Sequence, residues 1–405
     1  MSILKSASLA AALCCVGSTV SAAEMDIRAE FTPDATNPSA NRFVNRTPST
    51  GYCAIYPQFC LNDLFSLIVP INTEWGTLGI GAPIADGAMI RISNEPRTVD
   101  VIADDGAVAQ LGFTITHFGA TYNLNPTVQT ITGNPDFMRA HMELWVGSDW
   151  VNPAPGCSHG HAAVGHNSAR HYTFFWRNST GTACGKVPRH NIPNIRFTDL
   201  NIAYELVTPN PLAMSNGTYR GSATYTVGPG GDIDFGNRLQ VNDDTLTFRF
   251  ELKVNHILNI RFPPGAERLS LNPAGGWQRW LNSGRIPDKL TAYQDFEIWS
   301  SGNFKMQLRC EYSIAGQCAV ANPAGNQVPV ATRVTLPAGL TSSGGAINEH
   351  LLDEGTPLLV ASNHYVDNGR ARLHFEVDRN GVTQMAGQAG TQYTGDVTVI
   401  WDSDI

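Results

Sequence analysis

The second half of the chain alternates strictly between apolar and polar residues. Five segments show the pattern most clearly: 246–254, 304–310, 328–336, 372–378 and 397–401. A period of two places every second side chain on one face, so each segment is predicted to be a strand with one buried and one solvent-facing side. Glycine-containing turns separate the segments, and strands of this kind predict a β-sandwich of the immunoglobulin type.

Residues 216–236 mark the place where this regular pattern begins. Alternate positions are apolar or small until a glycine-proline turn at 228–231. Residues 24–215 have a different character, with clustered histidines, four cysteines and several tryptophans. We therefore predict a first domain at 24–207 and a second domain at 208–405, joined by a short proline-containing linker.

Strands are also predicted in the first domain, although their pattern is less regular. The segments concerned are 89–93, 108–116, 141–146, 172–177 and 192–206. No long amphipathic helix with capping residues interrupts them. The predicted fold class is therefore all-β, with two β-sandwich domains.

Composition and charge narrow the functional classes. A chain of 405 residues with 42% apolar residues is long enough for two hydrophobic cores. Its formal net charge of -8 provides no basic surface for nucleic acid. We therefore expect no nucleic-acid partner and no electrostatic binding to anionic lipid.

The first 23 residues predict export. Lys5 precedes a short apolar run at 7–16, and small residues at 20–23 suit a signal-peptidase site. The apolar run is too short to span a bilayer. Residues 1–23 are thus predicted to be a signal peptide, and cleavage would remove Cys14 and Cys15.

An even number of cysteines in an exported chain predicts disulfides. Many pairings of six cysteines are open, and proximity in sequence favours bonds between neighbours. The expected pairs are Cys53 with Cys60, Cys157 with Cys184, and Cys310 with Cys318.

Several runs in the second half resemble the pilin-type domain of fimbrial tip adhesins, which the chaperone–usher pathway assembles. The runs that carry the resemblance are 217–221, 224–236, 246–256, 264–282, 299–312 and 393–400. The resemblance implies an incomplete immunoglobulin-like sandwich that lacks its last strand. It also implies a periplasmic chaperone, an outer-membrane usher and a donor strand from the adjacent pilus subunit as partners.

The same resemblance implies a role for the first domain and a location. Tip adhesins carry a receptor-binding, lectin-like domain directly after the signal peptide. We therefore expect a route through the periplasm to the fimbrium tip, and a host or surface receptor, with a glycan favoured over a protein. Residues 402–405 lack the penultimate tyrosine common in pilins, and the second domain is long for a pilin.

Histidines cluster in the first domain and suggest a metal site. The cluster comprises His159, His161, His166 and His171. Two histidines separated by one residue on a strand share a face, and a third could complete a zinc site. A solvated polar loop is the competing interpretation, so zinc is a possible cofactor rather than a required one.

A second candidate site combines aromatic rings with polar side chains, as sugar-binding sites do. Its members are Trp145, Asp149, Trp150, Asn167 and Arg170. The competing interpretation is that the tryptophans belong to the core. Trp277 and Trp280, in the second domain, are predicted to pack.

No local catalytic motif supports an enzyme. The chain contains no G-x-S-x-G, phosphate loop, dinucleotide fingerprint or H-E-x-x-H. The favoured hypothesis is a non-enzymatic tip adhesin. A secreted β-rich hydrolase, with or without zinc, and a structural minor pilin without receptor binding remain as alternatives, because paired catalytic carboxylates leave no local motif.

Overall fold

The structure is a computed structural model that describes residues 23–60, 64–159, 167–388 and 390–403. Strands dominate it, and the all-β prediction is confirmed. None of the helices in these ranges is long and apolar enough to cross a membrane.

The buried hydrophobic clusters divide the described residues into a first unit (23–255) and a second unit (257–403), because no cluster combines residues from both ranges. The strands of the first unit are β1 Ala23–Phe31, β2 Val44–Asn45, β3 Leu67–Ile68, β4 Gly76–Leu78, β5 Ala88–Ile92, β6 Arg97–Ala103, β7 Val108–Leu124, β8 Ser158–His159, β9 His171–Arg177, β10 Cys184–Lys186, β11 Ile192–Val207, β12 Gly217–Thr226, β13 Ile233–Asp234 and β14 Thr245–Val254. Its α-helices are α1 Tyr52–Ile55, α2 Val128–Thr132 and α3 Phe137–Leu144.

One large sheet forms most of the first unit, in the order β2-β1-β14-β12-β6-β7-β11-β3. The strand β4 also pairs with β11, and β9 pairs with both β7 and β8. A smaller sheet, β10-β5-β13, contributes to the same core. The long strands β7 and β11 bend where their register shifts, between Thr198 and Asn201 and between Ala203 and Tyr204.

The second unit is a sandwich of two further sheets. Its strands are β15 Leu258–Arg261, β16 Asn272–Pro273, β17 Leu290–Ser300, β18 Phe304–Cys310, β19 Tyr312–Ile314, β20 Gln317–Ala321, β21 Gln327–Thr335, β22 Leu340–Ser342, β23 Gly345–Ala346, β24 His350–Leu351, β25 Leu358–Ser362, β26 Val366–Val377 and β27 Val397–Asp402, and its helices are α4 Gln278–Ser283 and α5 Arg379–Ala386. One sheet runs β15-β17-β26-β21-β20-β19, with β16 on β17 and β24 on β21. The other runs β23-β22-β25-β18-β27.

The predicted boundary at 207/208 does not coincide with the separation of the cores. Strands β12 and β14 lie in the large first sheet, where β14 pairs in parallel with β1 along its length. The predicted linker contains a short 3-10 helix, Pro211–Ala213, whose Leu212 is buried in the first core. The second unit therefore begins after residue 255.

His256 lies at the junction of the two units. Its Nε2 is 2.9 Å from the carbonyl oxygen of Met214, and its Nδ1 is 3.2 Å from Oγ of Ser301. Its ring also contacts Phe31 edge to face. The junction is thus a packed contact rather than a free linker.

One predicted strand, 141–146, is wrong, because most of this segment belongs to the helix α3. The carboxylate of Asp136 accepts hydrogen bonds from the backbone N–H groups of Met138 and Arg139, which caps the helix. The helix sequence contains no proline, no glycine and no β-branched residue. The capping residue and the helix-forming sequence thus outweigh the apolar positions of 141–146.

Candidate functional site

The two tryptophans predicted to bind sugar lie in the core of the first unit. Trp145 and Trp150 have no exposed surface, and Asp149 is 8% exposed. The ring of Trp150 stacks on Trp176 with centroids 5.1 Å apart, and the indole N–H of Trp176 donates to the carbonyl oxygen of Trp150. Both tryptophans are core residues of the first unit, and neither offers a ring face to a soluble ligand.

A buried chain of hydrogen bonds runs beside these rings. Nε2 of His141 is 2.8 Å from the carbonyl oxygen of Ser168, which can only accept, so Nε2 carries the proton. Nδ1 of His141 then accepts from the hydroxyl of Tyr122 at 2.7 Å. The indole N–H of Trp145 donates to the same hydroxyl oxygen at 3.3 Å. Each of these polar groups has a partner, which is what a structural network requires.

Burial sets the protonation of this network. It lowers the pKa of His141 and raises the pKa of Tyr122 well above its usual value. Both side chains are therefore neutral near pH 7. Because Tyr122 is wholly buried, the network stabilises the core and presents no acid or base to a substrate.

Lys186 holds the turn that carries Asp149 and Trp150. Its ammonium donates to the carbonyl oxygens of Gly147, Ser148 and Asp149 at 3.1, 3.2 and 2.8 Å. The side chain is only 4% exposed. Burial lowers the pKa of Lys186 to about 8, although the charge of Asp149 acts in the opposite direction.

Replacing Lys186 by methionine is expected to lower the free energy of unfolding by about 2 kcal/mol at pH 7, because three buried carbonyl oxygens lose their donor. The wild type should also gain stability as the pH rises from 8 to 9.5. In that range the unfolded lysine, with a pKa near 10.5, binds more protons than the folded one. Urea unfolding at both pH values tests this.

The matched control is Lys253→Met, at an exposed lysine on β14. We expect this variant to keep both the stability and the pH dependence of the wild type. If the free energy of unfolding of Lys186→Met rose between pH 8 and 9.5 as much as that of the wild type, a group other than Lys186 would cause the pH dependence.

The structure does not bring the described histidines of the cluster together. His159 lies opposite Trp176 on β9, whereas His171 lies at the other end of that strand. Trp176 and His171 are five positions apart on β9, which corresponds to about 16 Å along the strand. His159 and His171 are therefore too far apart for their imidazoles to share one ion. His161 and His166 lie outside the described residues. Within the described residues, no three His, Cys, Asp or Glu side chains are grouped so that they could hold a metal ion.

Asn167 and Arg170 lie at the surface, just before β9. The backbone of Asn167 forms a bridge to Tyr172, and a guanidinium N–H of Arg170 donates to Oδ1 of Asn125 at 3.2 Å. Arg170 is exposed. Arg170 is therefore separated from the buried tryptophans. The side chain of Asn167 instead interacts with the buried Tyr172, whose hydroxyl also interacts with the carboxylate of Asp149.

The predicted disulfides are all present. They join Cys53 to Cys60, Cys157 to Cys184, and Cys310 to Cys318. The second pair removes Cys157 from the set of possible zinc ligands.

Among the residues that the structure describes, the last strand of the second unit, β27, has a strand partner on one side only. It pairs with β18 and ends its sheet. The register places Val397, Val399 and Trp401 on the same face as the core residues of β18. Core residues of β18 such as Leu308 are almost fully buried, whereas these three side chains are only partly buried.

The strand β15 forms the facing edge of the other sheet. Its inward residues Leu258 and Ile260 are also only partly buried. Between the two edges lies Phe296, whose ring contacts Trp401 at 5.2 Å and Phe262 at 5.3 Å. We call these two edge strands, with the partly buried inward side chains of Leu258, Ile260, Val397, Val399 and Trp401, the open edge.

Comparison with known proteins does not assign the chain to a family. No protein-family model matches the chain, and neither does any curated protein. Twelve chains of solved structures match. One belongs to the crystal structure of the CsuC-CsuE chaperone-tip adhesion subunit pre-assembly complex from archaic chaperone-usher Csu pili of Acinetobacter baumannii. The match has 10% identity and a TM-score of 0.21, over 82% of this chain and 91% of that chain. Such a TM-score does not establish a common topology.

Proposed function

We propose that this protein is a tip adhesin of a chaperone–usher pilus, and that a strand from another subunit completes its second unit. The observation that carries the proposal is the open edge, where β27 has a single strand partner among the described residues and its inward side chains are only partly buried. A periplasmic chaperone would fill this edge first. At the outer-membrane usher, the donor strand of the adjacent subunit would replace the chaperone.

The open edge is suited to binding a partner by strand addition. An unpaired edge strand presents a row of N–H and C=O groups, which favours pairing with another extended chain. A donor with alternating apolar residues would make these backbone hydrogen bonds and also cover Val397, Val399 and Trp401. The apolar positions of the donor would determine specificity. The backbone hydrogen bonds and the burial of apolar side chains would both contribute to affinity.

The position of β1 favours the tip rather than the shaft of a pilus. The strand β1 is paired with β14 along its length, from Glu24 opposite Thr247 to Phe31 opposite Val254. Ile27 and Phe31 of this strand are buried in the first core. Residues 23–31 are therefore built into their own unit and are not available as a donor strand.

The first unit would then carry the attachment function. We infer that it is a lectin-like receptor-binding module, exported through the periplasm and held at the tip of the fibre by the second unit. Because the aromatic core of this unit is buried, a receptor would bind to its outer surfaces.

Two substitutions on β27 test the anchoring mechanism. We expect Val399→Asp to abolish recovery of the protein in surface fibres sheared from its native cells, because a charge would enter the open edge. Thr398→Asp is the matched control, since Thr398 faces outward on the same strand and is exposed. Immunoblots of the fibre fraction measure both.

Equal recovery of Val399→Asp and Thr398→Asp in fibres would contradict strand addition at this edge. Cells that lack the protein should assemble fibres but lose attachment. Unchanged attachment of such cells would favour a structural minor subunit instead.

A further inference from the structure

A row of four side chains crosses adjacent strands on the outer face of the first sheet. Arg196 on β11 pairs with Asn123 on β7, and Asn123 pairs with His171 on β9. On the other side of β11, Gly76 pairs with Ile195, so Trp75 lies beside Arg196. We call Trp75, Arg196, Asn123 and His171 the polar row. Three strand spacings give it a length of about 14 Å.

The polar row faces away from the core. Its neighbours along the strands, Phe197, Tyr122 and Tyr172, are almost fully buried and belong to the first core. Alternation therefore turns the side chains of the row outward. The side chain of Trp75 is 43% exposed, in contrast to the three buried tryptophans of the same unit, Trp145, Trp150 and Trp176.

Hydroxyl groups lie directly beside the row, two residues further along each strand. The hydroxyls of Thr121 and Thr173 are 2.8 Å apart, and the amide of Asn123 donates to the hydroxyl of Thr198 at 3.0 Å. These groups can both donate and accept hydrogen bonds. The surface thus combines an exposed aromatic ring with neutral polar groups held on rigid strands.

Arg196 is the unusual member of the row. Its guanidinium lies over the ring of Trp75 at 4.6 Å. Its Nε is buried and has no hydrogen-bond partner among the described residues, and no described carboxylate forms an ion pair with it. A partly desolvated guanidinium without an anion favours a ligand that supplies one.

We propose that the polar row binds a saccharide that carries a carboxylate, such as a uronic or sialic acid. The indole of Trp75 would contact the apolar C–H face of a sugar ring, and Arg196 would pair with the carboxylate. Asn123, His171 and the threonines would meet the hydroxyls. This inference rests on the proposed function, because it names the ligand class of the receptor-binding unit.

The test uses the full chain and two matched pairs of probes. These are 3′-sialyllactose against lactose, and a hyaluronan oligosaccharide against a chitin oligosaccharide, with binding measured by titration calorimetry. We expect at least one acidic probe to bind at least about tenfold more tightly than its neutral partner. Arg196→Gln should abolish this preference, and Trp75→Ala should weaken binding at least about tenfold.

Two control variants change the same residue types elsewhere. They are Arg220→Gln, at an exposed arginine on β12, and Trp277→Ala, at an indole that is 37% exposed in the second unit. Both should bind like the wild type, and thermal unfolding should show that all four variants are folded.

The inference fails if no acidic probe binds, or if Arg196→Gln and Trp75→Ala bind as tightly as the controls. This failure is distinct from failure of the proposed function. A chain that binds no acidic probe but is excluded from fibres by Val399→Asp would still be a pilus subunit. A chain that binds the acidic probe but enters fibres with Val399→Asp would have a binding row without the proposed anchor.

Discussion

A donor strand supplied in trans is expected to stabilise the second unit by about 4 kcal/mol, which corresponds to a rise in its melting temperature of about 10 °C. The suitable donor is a peptide of about ten residues that alternates apolar and polar side chains, long enough to pair with the whole of β27. Its apolar residues would cover the partly exposed side chains of Val397, Val399 and Trp401. Its backbone would satisfy the free edge of the strand.

This stabilisation should depend on the alternation of the donor. A control peptide with the same length, in which two inward apolar residues are replaced by aspartate, should leave the melting temperature unchanged because charges would be buried without partners. Because ligand binding to the folded state stabilises it by mass action, the effect should grow with peptide concentration. A rise with both peptides would indicate non-specific binding.

Replacing Trp150 by alanine is expected to lower the free energy of unfolding of the first unit by about 4 kcal/mol, as for other large buried aromatic residues. Trp150 has no exposed surface, and its ring contacts Trp145, Phe174 and Trp176. Removing the indole would leave a cavity that these large rings cannot fill without leaving their positions. Chemical denaturation of the two proteins measures the loss.

The partly exposed Trp277 provides the control for this effect. Trp277→Ala should change the free energy of unfolding by about 0.5 kcal/mol at most. If Trp150→Ala were as stable as the wild type but no longer bound a saccharide, Trp150 would belong to a sugar-binding site and not to the core. We expect instead that Trp150→Ala is less stable than the wild type and that its folded fraction still binds a saccharide at the polar row.

The strands of the second half could be predicted because their signal is local. In 304–310, for example, Phe304, Met306 and Leu308 become core residues of β18, and the polar residues between them face out. Neighbouring cysteines such as Cys310 and Cys318 likewise had few plausible partners nearby. These features depend on residues that are close in sequence.

The division into units could not be predicted in this way. Strands β12 and β14 have the same clear alternation as the later strands, so their pattern grouped them with the second half. Their actual neighbours are β6 and β1, which lie far earlier in the chain. Alternation shows which face of a strand is buried, but it does not show which strand lies beside it.

The candidate site shows the same limit. Trp150 stands beside Asp149, as in a sugar-binding loop, yet packing against β9 buries it. Trp75 and Arg196 gave no joint signal because only the register of β4 and β11 brings them together. The one available hint was an arginine on the polar side of an alternating strand, at Arg196.

The most direct test of the open edge is hydrogen exchange at β27. In the free chain, the amides of Val397–Asp402 that point away from β18 should exchange rapidly, while the core strand β26, paired on both sides, is protected. Addition of the alternating donor peptide should slow their exchange at least about 100-fold. If these amides are already protected in the free chain, or if the peptide leaves their exchange unchanged, the second unit is complete without a donor strand.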